Sequence, residues 1–318
     1  MLARHVALVS QTEQVAPREL MIAAAAIQKQ ITRDFGPIWQ IHADVAAFED
    51  RSDVPLDYWP IFICDRVPDG VHGIHLNHLN GEPFALVEVS ENWTLAVSHE
   101  CMEMLADPSG NRVQAGNSYI IPNDFEFLDG KDEFVREGRV GYLVEVCDPC
   151  ESAEFGYSVN DVLVSDFYTP NFFDPVLVPG MRYSFTGEIK GPREILDGGY
   201  LSWIQPETKS LCQVFRTGKR LKFNSYPLAI PRPAKADAET NVPISLRRYA
   251  DCRSEGDRRD AIGRNAISKP HKQLLLTERM AVRGDPPSEQ LKQALDANAD
   301  ILQAAVQFAL DGNDTPTG

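Results

Sequence analysis

His99 and Glu103 stand four residues apart in the stretch WTLAVSHECMEMLADP, residues 93–108. In a helix that spacing sets one side chain above the other, so an imidazole and a carboxylate can hold a single cation between them. Glu100 leaves the same side of the helix but is displaced from the pair, where its carboxylate could take a proton from a water activated by the cation. At 100° per residue His99, Glu100, Glu103 and Asp107 fall within an arc of roughly 100°, and Leu95, Val97, Cys101, Met102 and Leu105 fill the remainder. The pattern predicts one chemical face and one packing face. Asp107-Pro108 should end the helix, because the residue before a proline is pushed out of the α region. The competing reading is an acidic helix face bathed in solvent.

HECME resembles the HExxH helix of the zincin metallopeptidases, in which two histidines bind zinc and the intervening glutamate is the general base. Glu103 stands where that helix carries its second histidine. A carboxylate is an established zinc ligand, although its charge lowers the Lewis acidity of the ion. The resemblance implies one Zn2+, with other divalent metals acceptable to the same donors, and a third protein ligand from outside the helix. Glu145 is the first choice, since it interrupts the apolar run Tyr142-Leu143-Val144 and Val146, where a carboxylate is costly unless paired or coordinated. Asp148, at the end of that run, is second, and Asp107 third, with a turn-forming role the stronger reading for Asp107.

Other chemistry-bearing residues carry less. Cys147 and Cys150 form a CxxC without a second one at zinc-finger spacing, which favours reduced thiols in a turn over a zinc knuckle or redox pair. His72, His75 and His78 recur every third residue, so on a strand His75 would face away from the other two. His75 is the best of them for orienting substrate or water. Tyr157, Tyr168, Tyr183 and Tyr200 could each stabilise an oxyanion, but a packed aromatic is the stronger reading for each.

The elements that would position these residues follow from periodicity. Residues 4–10 read as a strand, 17–35 as an amphipathic helix through Leu20, Ala23, Ala24, Ile27 and Ile31, and 39–48 and 59–65 as strands. Two more strands around a reversal at Asn80-Gly81 precede the 93–107 helix. That order is similar to the N-terminal half of a zincin, where a twisted mixed sheet and a backing helix precede the metal helix and the strand just before that helix lies along the substrate cleft. Residues 108–138 read as a turn-rich acidic loop or short hairpins, 141–151 as a strand, 158–166 as another, 182–187 as a strand and turn, and 198–203 as a tight loop packed by aromatics. The expected class is α+β. A zincin-like domain with a β-rich second half spans 1–205, an irregular proline- and charge-rich extension and linker spans 206–285, and a C-terminal helix spans 286–311.

A net charge of −15 over 318 residues argues against nucleic acid or an anionic membrane surface as a partner. No stretch reads as a secretory signal or a bilayer span. Six cysteines are too sparse for a disulfide scaffold, so a reduced, cytoplasmic setting is expected. These features together predict a zinc-dependent metallopeptidase-like hydrolase acting on a peptide or protein substrate, with Glu100 as general base. The rival is a zincin-like binding or assembly module without catalysis, favoured by Glu103 and by a C-terminal helix that could take a protein partner. Calcium or manganese on an acidic cluster is a third reading, against which His99 speaks for calcium.

Overall fold

The computed structural model describes residues 4–67, 72–77, 82–119, 121, 124–127 and 138–227. The expected linker beyond residue 227, the C-terminal helix 286–311, His78 and the Asn80-Gly81 reversal lie outside the described residues.

The chain begins with β1 (Arg4–Ser10), then α1 (Pro17–Gln30), which ends in a π-turn over Ile31–Phe35, the short α2 (Gly36–Trp39), β2 (Ala43–Phe48), β3 (Tyr58–Cys64), β4 (Gly73–Asn77) and β5 (Pro83–Glu88). Pro17 opens α1 at the one position where its missing N–H costs nothing, and the Ala16 N–H donates to Glu19 at 2.9 Å. Leu20, Ala23, Ala24, Ile27 and Ile31 are all buried, as their spacing predicts. The expected strand over 39–48 starts only at Ala43: residues 36–39 make a helical turn and Gln40 closes it in the left-handed region at φ 56°.

These strands form a five-stranded sheet in the order β2-β1-β3-β5-β4. β2, β1, β3 and β5 run parallel and β4 antiparallel at the edge. The apolar runs of β1 and β5 suit interior positions covered on both faces. β5, the strand immediately before the HECME helix, is therefore an interior strand; the edge beside the cleft belongs to β4.

The helix itself, α3 (Trp93–Ala106), packs on β3, β4 and β5 beside α1. A buried network locks the two helices: Ser98 Oγ donates to Gln30 Oε1 at 2.8 Å and accepts the Ser165 N–H at 3.0 Å, while Gln30 Nε2 donates to the Ser165 carbonyl at 2.8 Å. The helix ends where Pro108 requires. Arg112 Nη1 donates to the Ala106 carbonyl at 2.9 Å and Arg4 Nη1 to that of Leu105, placing two cations at the negative helix end.

After α3 come β6 (Val113–Asn117), β7 (Glu126–Phe127) and β8 (Arg139–Leu143), then a hairpin of β9 (Tyr157–Val159) and β10 (Val162–Val164), and finally β11 (Tyr200–Gln205), β12 (Ser210–Thr217) and β13 (Arg220–Pro227). β6, β8, β11, β12, β13 and β7 make a second, six-stranded sheet. Trp203 at its centre is 1% exposed and packs on Tyr142, Tyr119 and Phe223. Of the described helices, none is long and apolar enough to cross a membrane.

Several expectations are corrected here. Residues 158–166 are a hairpin, turned by Asn160 and Asp161 at φ 51° and 63°, the pair of positive angles a type I′ turn needs. Residues 182–187 contribute a single bridge, Tyr168 to Ser184. Residues 198–203 enter a strand, and residues 206–227, expected to be irregular, form the β12–β13 hairpin, whose Cys212, Val214, Leu221 and Phe223 bury one face. The expected strand 141–151 ends at Leu143; the chain then leaves the sheet and turns against α3 through a 3-10 turn, Asp148–Cys150.

Candidate metal centre

α3 brings His99 and Glu103 together as their spacing predicts, with His99 Nε2 3.2 Å from Glu103 Oε2. The 3-10 turn after β8 delivers Asp148, whose Oδ1 lies 3.3 Å from the same nitrogen. One atom from each of the three lies within 4.8 Å of the others, a nitrogen-and-oxygen donor set of the size and chemistry a divalent cation takes. Glu103, Asp148, Glu100 and His99 are 0%, 1%, 3% and 7% exposed, which overturns the solvated-face alternative. Buried carboxylates at this density are costly without a compensating cation.

The two outer carboxylates fall in different groups. Asp148 completes the set around His99, whereas Glu145 groups instead with Glu103 and His75. Glu145 follows β8 rather than interrupting it, and it shares a metal-sized group with His75 of β4 and Glu103. Asp107 takes the turn-forming role: its Oδ2 accepts the Arg112 N–H at 2.7 Å at the helix end.

Backbone contacts hold the carboxylates in place. The Cys147 N–H donates to Glu103 Oε1 at 3.1 Å, so the segment carrying Asp148 also orients Glu103. Behind the 3-10 turn sits Gly199, where a Cβ would lie 2.5 Å from the Pro149 carbonyl oxygen and 2.8 Å from that of Asp148. Only a residue without a side chain lets β11 approach this closely.

Electrostatics act strongly on His99. Burial alone would lower its pKa, but the carboxylate of Glu103, joined by Asp148 and Glu100, outweighs burial and raises it well above the usual histidine range. In the metal-free protein these carboxylates favour the charged form of His99.

His99 and Glu100 form part of the floor of a cleft of about 450 Å³ bordered by His72, Gly73, Asn92, Ser152 and Tyr200. Glu100 meets β4 closely, since a Cβ at Gly73 would come 2.6 Å from Glu100 Oε1. His75 does not line this cleft. It is 0% exposed and lies behind Glu100, with Nδ1 3.6 Å from Glu100 Oε2 and the Nε2–H donating to the Asp107 carbonyl at 3.1 Å. The residue expected to orient substrate or water is thus buried off the cleft and faces other side chains. His72, passed over in favour of His75, is the one of the two on the cleft.

Of the four tyrosines, Tyr200 alone borders the cleft; Tyr157 donates to Asp34, the Tyr183 hydroxyl accepts the Val178 N–H, and Tyr168 is wholly buried. Cys147 and Cys150 are free thiols pushed well above the usual range by burial, and neither joins a metal-sized group among the described residues. They fit inert packing. Comparison of the chain with family models, with curated proteins and with solved structures gives no match, so its chemistry is argued from these residues.

Proposed function

We propose that this protein is a divalent-metal-dependent hydrolase of peptide bonds, zincin-like in its first half, in which His99, Glu103 and Asp148 hold a zinc ion and Glu100 is the general base. The observation that carries the proposal is the convergence of one imidazole and two buried carboxylates, from two separate elements, beside a further carboxylate at the floor of an open cleft. Three protein donors leave a fourth position for water or substrate. The ion, when bound, supplies Lewis acidity, polarising a substrate carbonyl and making water a nucleophile at neutral pH. Glu100 takes the proton of the attacking water and passes it to the leaving amine. The packing of Gly73 against the Glu100 carboxylate limits its swing. β4, at the sheet edge, borders the same cleft through Gly73, where an extended peptide could pair with its backbone.

The test is metal content. After loading with zinc and removal of the excess, wild type should hold at least one ion per chain more than His99→Ala, measured by mass spectrometry. Equal zinc in the two proteins ends the proposal. Zinc retained with no turnover across a broad peptide library would instead favour the binding-module alternative.

A pH dependence follows from His99. Its nitrogen must lose a proton to bind a cation, and its folded pKa is raised, so apparent zinc affinity should climb about tenfold per pH unit from the ordinary histidine range, about 6.5, upward until the folded pKa is passed. In the metal-free protein the sign is opposite. The charged His99 stabilises the fold fully below its unfolded pKa, and that contribution fades as pH rises through the raised folded value. Calorimetric titrations in buffers of different ionisation enthalpy should show proton release on zinc binding; none at pH 7 would contradict the assignment of His99.

A further inference from the structure

The geometry points to a second divalent-cation site, formed by His75, Glu103 and Glu145 on the β4 side of α3 and sharing Glu103 with the site above. One ligand atom from each of the three lies within 4.8 Å of the others, and the three residues are 0%, 0% and 3% exposed. They come from three elements, β4, α3 and the segment after β8. The second site deepens the proposal of a metal-dependent hydrolase and rests on it for the first ion.

The imidazole is oriented for coordination. The His75 Nε2–H donates to the Asp107 carbonyl at 3.1 Å, which assigns Nδ1 as the nitrogen that can coordinate. A carbonyl fixing the far nitrogen of a metal-binding histidine is the usual outer support of such a ligand. Nδ1 faces Glu100 at 3.6 Å and shares its surroundings with Glu103 and Glu145.

Charge gives the same answer. Glu100, Glu103, Glu145 and Asp148 lie buried around the two groups, four formal negative charges that two divalent ions would match. A shared carboxylate between two ions is the arrangement by which paired metals are held in hydrolytic sites.

A separate observation comes from Tyr168. Its ring is 0% exposed and stacked on Phe172, its N–H donates to the Val146 carbonyl, and its hydroxyl makes no hydrogen bond among the described residues. Burial, and after it the charges of Glu145, Glu103 and Asp148, push that phenol well above its usual range, so the hydroxyl lies within the field of this cluster. A buried hydroxyl turned on a set of carboxylates is suited to a cation or to its coordinated water.

The test is stoichiometry on the full chain, stripped by chelation, titrated with Zn2+ and freed of excess. Wild type should hold two ions per chain and Glu145→Gln one, by mass spectrometry. One ion in wild type, or two in Glu145→Gln, overturns the second site. Should Glu145→Gln fail to fold, wild type loaded with Mn2+ decides. An exchange-coupled electron paramagnetic resonance spectrum at saturation supports a bridged pair, and the spectrum of isolated ions alone overturns it. Two ions without peptide cleavage would leave this site standing and end the peptidase proposal; one ion with cleavage would do the reverse.

Discussion

Glu100→Gln is expected to keep its zinc and lose its peptide cleavage, with kcat falling by about 10²–10⁴-fold, or roughly 3–5 kcal/mol in the barrier. Glutamine has nearly the shape of glutamate and preserves the packing against Gly73 and His75, but an amide cannot take a proton from the attacking water. Glu100 belongs to neither metal-sized group, so metal content should match wild type. KM should change little, because the missing proton transfer belongs to the transition state rather than to binding. Steady-state kinetics on a fluorogenic peptide, with metal analysis of the same preparation, checks both halves. Full activity would remove Glu100 from the chemistry. Loss of zinc would make it a ligand instead of a base.

Gly199→Ala should damage the metal centre without touching any ligand. The added methyl would meet backbone on two sides, 2.5 Å from the Pro149 oxygen and 2.8 Å from that of Asp148, and backbone cannot rotate away as a flexible side chain would. The 3-10 turn must therefore shift, and it carries Asp148 on one flank while the Cys147 N–H holds Glu103 on the other. An overpacking cost of about 1–3 kcal/mol is expected, lowering Tm by roughly 2–12 °C. A fall in zinc affinity should accompany it, since a donor displaced by even half an ångström no longer fits the ion. Thermal melts with and without zinc separate the two effects. An unchanged melt would mean that β11 retreats freely and that the close approach positions nothing.

The parts of the centre legible in the chain are those that lie within one turn of helix. His99 and Glu103 meet because four residues make just over one turn, and Glu100 is offset because one residue advances about 100°. The α1 face and the end of α3 at Pro108 were legible for the same reason, being set by local periodicity and backbone sterics. The fully buried setting of α3 was not. Its acidic stripe alternates with apolar residues much as a solvent-facing helix would, and only the sheet, the β9–β10 hairpin and the segment after β8 close over it.

Periodicity misled where two short strands share a tight turn. Val162–Val164 continues the alternation of Tyr157–Val159, and the reversal rests on positive φ at Asn160 and Asp161. Residues 206–227 read as irregular because a composition shift farther along was extended back across an amphipathic hairpin.

By itself the amino-acid sequence determined that one imidazole and two carboxylates, His99, Glu103 and Glu100, leave the same side of a single helix, because one residue advances about 100° and four make just over a turn. Tertiary structure decided that Asp148 rather than Glu145 completes the His99 group, that His75 lies behind Glu100, and that Glu103 is common to two clusters. Forty-five residues separate Glu103 from Asp148, and whether a carboxylate three residues to either side arrives instead depends on where β8 ends and how closely β11 can press behind the turn. Those are properties of packed backbone, which no local spacing encodes.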